Sequence, residues 1–148
     1  MTSASHYRPN LRDIYFNLFE LLEIQTTVLG KPPFESMDEA TARAALEGLL
    51  EVLQATWTPV FASGDREGCH FDGNGNVTLP KGFKAALAAY YAGGWQNIEL
   101  AESLGGMGAP PTLRWSAFEL MSGANPAITF YILVAFMATA TLVGPAGA

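Results

Sequence analysis

One cysteine, Cys69, and two histidines, His6 and His70, are the whole supply of soft metal ligands in the 148 residues. One thiol excludes an internal disulfide framework and suits a reducing compartment. With so few ligands there is no HExxH motif and no zinc set, so no metal site is expected. Cys69 and His70 are neighbours and point to opposite faces of an extended chain, which excludes them as a nucleophile and base pair. A buried thiol beside a surface imidazole is the expectation there. Basic residues are also scarce, eight Lys and Arg against fourteen Asp and Glu, for a net charge of −6. Phosphate binding needs clustered cations, so nucleic acid is excluded as a partner. Ser63 and Ser122 stand outside any GxSxG elbow, and Gly105-Gly106-Met107-Gly108 lacks the GxGxxG spacing, the preceding strand and the basic residue of a phosphate cradle. No apolar signal core is visible in residues 1–10, and the cytoplasm is the expected address.

What is present is apolar: 49% of residues are hydrophobic, enough for one domain, 1–148, with its own core. The patterning predicts an all-α fold, a bundle of about five helices with a small hairpin near residues 68–79. The first helix is expected from an Asn10 cap, with Asp13 in the first turn and Ile14, Leu18, Leu21, Leu22 and Val28 tracing the core side. Phe16 and Phe19 widen that stripe, and Gly30-Lys31-Pro32-Pro33 ends it. Ser36 and Glu39 read as a capping box for a second helix carrying Ala42, Leu46, Leu49, Leu53 and Trp57, kinked at Pro59 and stopped by Gly64. Asp72-Gly73 and Asn74-Gly75 supply a turn between two short extended pieces. Asp72, Asn74 and Asn76 alternate as in a calcium loop, but Val77 and Phe83 occupy the positions that need glycine and glutamate. A third helix then carries Phe83, Ala86, Leu87, Tyr90 and Tyr91 and stops at Gly93.

Residues 93–143 organise the rest. Trp95 is expected to open an extended segment through Ile98, and 104–111 is too rich in glycine and proline for helix or central strand. Pro111 starts a helix that carries Glu119 and ends near Gly123. Glu119 is read either as an ion pair with Arg114 or an exposed position, or as a functional carboxylate. Asn125-Pro126 is a cap and first-turn pair for a last helix, stopped by Gly144-Pro145. That helix carries no charge over 127–143, yet Thr129, Thr139 and Thr141 interrupt it and no Lys or Arg flanks it, so a helix buried in a larger bundle, covered by further sequence or by a partner chain, is expected rather than a membrane span.

In this order the motifs GGW, ESLGGMG.PP, the Glu119 helix and SGANPA, preceded by HYRPNLRDIYFNLFELL, SGDREGC.F and VTLPKGFKAA, resemble the N-terminal helical domain of the acyl-CoA dehydrogenase family. The likeness covers nearly the whole chain and is nearest the long-chain, broad-specificity or methylmercaptopropionyl-CoA branch, with 1–35 as an N-terminal helical extension. It implies a flavoprotein oxidoreductase acting on acyl-CoA in fatty acid metabolism. FAD would be bound mostly outside this chain, and the catalytic glutamate and β-domain would lie beyond it. It further implies that Glu119, Ser122, Asn125 and Phe130 line the acyl pocket, with no catalytic residue in this chain, and that the chain is a fragment, split subunit or remnant. A homo-oligomer or a complementary chain is then the implied partner. The alternative is a non-catalytic helical module for oligomerisation or lipid binding.

Overall fold

The computed structural model describes residues 6–143, except the side chains of Phe136 and residues 139–143. The expected stop at Gly144-Pro145 lies outside the described residues, as do the side chains of Thr139 and Thr141. Helix dominates, with one antiparallel hairpin, β1 (His70–Phe71) and β2 (Val77–Thr78), in which Phe71 faces Val77.

The first helical stretch is broken into α1 (Leu11–Tyr15), a π-helical turn (Phe16–Leu21) and α2 (Ile24–Thr27). A π turn winds wider than an α turn, so the apolar stripe rotates on passing through it. Ile14, Leu18, Phe19 and Ile24 are buried, whereas Leu21 and Leu22, expected on the core side, are exposed. Asn10 does not cap the backbone either; its amide donates to the Asp13 carboxylate at 2.6 Å.

The second stretch runs through α3 (Glu39–Val52), a π turn (Leu53–Trp57), a 3₁₀ turn (Thr58–Val60) and α4 (Phe61–Glu67). Pro59 has no amide for the carbonyl four residues earlier, and the π and 3₁₀ turns absorb that defect without ending the helix. Its cap is Asp38, not Ser36: the Asp38 carboxylate accepts from the Thr41 amide at 2.7 Å. A carboxylate there also faces the positive end of the helix dipole. Hydrogen bonds from Thr41, side chain and amide, hold the Asp38 carboxyl below its usual range. A depressed folded value means that this contribution to stability is complete above the ordinary carboxylate pKa and fades as pH falls through the folded one. Asp38→Ala is therefore expected to lower stability at neutral pH and to flatten the acid limb of a pH–stability curve below about pH 4. An unchanged acid limb would show that the cap is not coupled to folding.

Gly64 does not stop this helix. It is buried, and a Cβ there would lie 2.3 Å from the Phe83 ring, so its role is close packing. The stop is Gly68, whose φ of 64° is left-handed backbone suited to glycine. The turn it makes carries Cys69 to the surface, correcting the expected buried thiol.

Three helices complete the fold: α5 (Phe83–Ala92), α6 (Pro111–Ala124) and α7 (Pro126–Val143). Between α5 and α6 the expected extended segment is instead a 3₁₀ turn, Trp95–Asn97, because Trp95 turns inward and donates from its indole N–H to the Ala45 carbonyl at 3.2 Å. A single cluster of buried apolar residues runs from Ile14 to Ile132. At its centre Trp57, 0% exposed, donates to the Ala86 carbonyl at 3.1 Å. Among the described residues no helix is long and apolar enough to cross a membrane.

Candidate functional site

A groove of about 410 Å³ opens between the end of α5, the segment 95–100, α6 and α7. Its walls are apolar and aromatic, with Tyr90, Trp95, Phe118, Met121, Ile132 and Leu133 among them. On α6 the groove positions are 114, 117, 118 and 121, a stripe at helical spacing. Trp95 is held by its bond to Ala45 and by stacking at 6.4 Å on Tyr90, whose hydroxyl pKa is pushed up by burial and secondarily by Tyr91. The volume and the apolar lining suit a small ligand or one end of a larger one.

The wall segment 95–100 belongs to a tightly tied loop that runs to residue 109. Met107, Gly108 and Ala109 donate their amides to the carbonyls of Asn97, Leu100 and Ile98 at 3.1, 2.9 and 2.9 Å. Gly105 and Gly106 likewise donate to Glu102 and Ala101 at 2.9 and 3.1 Å. The loop is joined to α6 by an ion pair, Arg114 Nε to Glu99 Oε2 at 2.7 Å, with both side chains about four-fifths buried. Arg114 also lies over the Trp115 ring, 4.0 Å from its centroid.

This arrangement bears on a flavin dinucleotide. Its diphosphate requires cations or free backbone amides. The glycine-loop amides are already bonded within the loop, and the groove's cation, Arg114, is matched by Glu99. The described residues of this groove do not fit the diphosphate, and what they offer a ligand is an apolar wall. Among the described residues no cluster of three or more His, Cys, Asp or Glu is placed to hold a metal ion.

The four residues expected to form an acyl wall are not brought together here. Glu119 is exposed and sits about 140° round α6 from Arg114, at 3.6 residues per turn. Among the described residues the ion pair of Arg114 is with Glu99 rather than Glu119. Glu119 faces the N-terminal segment instead, where the Tyr7 hydroxyl is pushed up to about 12 by burial and then by the Glu119 charge. Ser122 is half-buried, about 80° from Arg114 round the same helix. Phe130 is 61% exposed and shares an outward stripe of α7 with Val134 and Met137.

Asn125 is fully buried and does structural work. Its side-chain oxygen accepts from the Ile128 amide at 3.2 Å, capping α7, and its amide donates to the Trp57 carbonyl at 3.3 Å. Asn125→Ala is expected to destabilise the chain by about 2–4 kcal/mol, since it removes a cap and the buried amide that ties α7 to the Trp57 carbonyl. Urea unfolding checks this, and a loss below about 0.5 kcal/mol would contradict it.

Sequence reasoning missed Tyr90, Glu99 and Arg114 as groove residues. The first was read as core, and nothing in the spacing of the other two announces a bond between a loop and a helix.

No family model matches the chain. It is 38% identical over 128 residues to the broad-specificity linear acyl-CoA dehydrogenase FadE5 of Mycobacterium tuberculosis, a match covering 86% of this chain and 21% of that protein. It is 32% identical over 119 residues to the 3-methylmercaptopropionyl-CoA dehydrogenase of Ruegeria pomeroyi, covering 80% of this chain and 20% of that one. The chain thus spans about a fifth of the length of these curated relatives. By these two matches the chain is homologous to a stretch of the acyl-CoA dehydrogenases about one fifth as long as the enzymes themselves.

Proposed function

We propose that this chain is the N-terminal helical domain, 1–148 with 1–35 as its extension, of a flavin-dependent acyl-CoA dehydrogenase that acts in the cytoplasm. In this reading it contributes one wall of the acyl site. FAD, the catalytic base and the α,β-dehydrogenation belong to segments outside the chain, in the same polypeptide or in a complementary one. The observation that carries the reading is the apolar groove beside α6 and α7 in a homologue of acyl-CoA dehydrogenases. An alkyl tail is held by burial of its surface, at roughly 0.8 kcal/mol per CH₂. The proposal moves the acyl wall from Glu119, Ser122, Asn125 and Phe130 to the stripe Ala117, Phe118, Met121 on α6 and Ile132, Leu133 on α7.

Titration with decanoyl-CoA tests it through the emission of Trp95, which lines the groove. A saturable change is expected in the wild type, and at least a tenfold weaker one in Ala117→Trp, which fills the groove. Equal, non-saturating responses in both would remove the groove from acyl binding.

A second reading, a module for oligomerisation or lipid binding, is favoured by one observation. Phe130, Val134 and Met137 on α7 are each at least 60% exposed, an apolar face of the kind that marks an interaction site. Self-association at high concentration, abolished by Val134→Asp, is the expected result in sedimentation velocity. Monomeric behaviour without hydrophobic-dye binding would exclude this reading.

A further inference from the structure

The hairpin turn joining β1 to β2 lies at the surface and holds two residues followed by glycine, in Asp72-Gly73 and Asn74-Gly75, the second being the one Asn-Gly step in the chain. Gly73 and Gly75 take φ of 81° and 94°, and a Cβ on either would meet nothing within 4 Å. The hydrogen bonds of the turn are unevenly shared. Asp72 Oδ1 accepts the backbone amides of Asn74 and Asn76 at 2.7 and 3.1 Å, and Asp72 Oδ2 accepts the Asn76 side-chain amide at 2.6 Å. Led by the Asn76 side chain, these bonds hold the Asp72 carboxyl below its usual range. The Asp72 amide in turn donates to the Asn76 carbonyl at 3.1 Å. Among the described residues nothing bonds the Asn74 side chain or the Gly75 N–H.

We infer that Asn74 is a site of self-modification, at which the Gly75 nitrogen displaces ammonia from the Asn74 side chain and water then leaves aspartate or isoaspartate. The inference is independent of the groove. In the first step the Gly75 nitrogen loses its proton and bonds to Asn74 Cγ, while the Cγ–Nδ2 bond breaks and ammonia departs with that proton. The product is a cyclic imide. Water then opens the ring at one of its two carbonyls: cleavage at Cγ returns an ordinary aspartate, and cleavage at the backbone carbonyl routes the chain through Cγ as isoaspartate. Water is the sole co-reactant, and nothing is oxidised or reduced. A glycine nitrogen reaches the side chain before it because no Cβ stands in the way, and an unbonded side-chain amide is able to turn toward it. The other two candidates in the turn are held back. Asp72 has the same glycine neighbour, but its ionised carboxylate, fixed by three hydrogen bonds, repels a nucleophile and offers no leaving group. Asn76 is anchored on Asp72 and precedes Val77, whose branched Cβ crowds the nitrogen. The product at position 74 carries a new carboxylate two residues from Asp72, and isoaspartate also lengthens the backbone of a turn whose register pairs Phe71 with Val77. Both changes loosen the hairpin, the first by repulsion between like charges.

The full chain, held at neutral pH and body temperature for weeks, is digested and mapped by mass spectrometry, with isoaspartate counted by a carboxyl methyltransferase specific for it. Asn74 is expected to convert at least tenfold faster than Asn10, Asn17, Asn76, Asn97 or Asn125, with isoaspartate the larger product. Because nothing in the turn restrains the pair, the folded chain should convert Asn74 at a rate within fivefold of that in the guanidinium-unfolded chain. Gly75→Ala and Asn74→Gln should each lower the yield of isoaspartate at least tenfold. Conversion spread evenly over the asparagines, isoaspartate arising first at Asp72 or Asn76, or more than fivefold protection by folding would overturn the inference. So would a Gly75→Ala chain that converts as fast as the wild type. The wild-type map and its comparison with the unfolded chain need no substitution, and they decide the matter even where a variant folds poorly.

Discussion

Replacing Trp57 with alanine is expected to lower stability by about 3–5 kcal/mol, the range for deleting a large aromatic from a packed core. Trp57 has no exposed surface, its ring lies 5.6 Å from that of Tyr90, and its indole N–H is bonded to the Ala86 carbonyl. The residue stands in the π turn that absorbs Pro59, and its own carbonyl receives Asn125, so α3, α5 and the start of α7 meet at this one position. Truncation removes the packing, leaves the Ala86 carbonyl without its indole donor and loosens the link to α7. Urea unfolding should show a fall in midpoint with the slope retained. Trp115→Ala is the comparison: that ring is 54% exposed, and a loss below about 1 kcal/mol is expected. Equal losses at the two tryptophans would contradict a core centred on Trp57.

Gly106→Ala is expected to be the most damaging substitution in the loop that supports the groove wall, by about 2–4 kcal/mol. A Cβ on Gly106 would lie 1.9 Å from the backbone carbonyl oxygen of Leu100. No side-chain rotation relieves a clash with backbone, so the loop itself must move. The same movement would disturb Glu99, one residue before Leu100, and with it the bond to Arg114. Decanoyl-CoA binding should therefore fall at least tenfold along with stability. Gly105→Ala separates space from conformation: nothing stands within 4 Å of its Cβ, but its φ of 80° is left-handed, and about 1–2 kcal/mol is expected. A Gly106→Ala chain with unchanged stability and binding would show that the loop yields freely.

The legible and illegible features differ in range along the chain. The Asn125-Pro126 pair is a local signal, and the structure shows the Asn125 side chain capping α7 as its residue type requires. The hairpin is equally local, its turn built by Asp72 accepting from the Asn74 and Asn76 amides at 2.7 and 3.1 Å. The π turn at Phe16–Leu21 was not legible, since one widened turn leaves no mark in the spacing of apolar residues, yet it turned Leu21 and Leu22 outward. Glu119 was singled out for its isolation in sequence. Isolation along the chain does not say which side of a helix meets a groove, and the N-terminal segment took the side on which Glu119 lies.

By itself the sequence determined the helical class, the end of α5, the bounds of α6 to within a residue, the start of α7, and the kinship with acyl-CoA dehydrogenases, because caps, breakers and motifs act within a few residues of where they are written. Tertiary structure alone decided that residues 95–100 wall a groove, that Glu99 reaches Arg114 and that Asn125 ties α7 to Trp57. Those contacts join residues 15 to 68 positions apart, and they form only when packing of the apolar core has set the helices side by side.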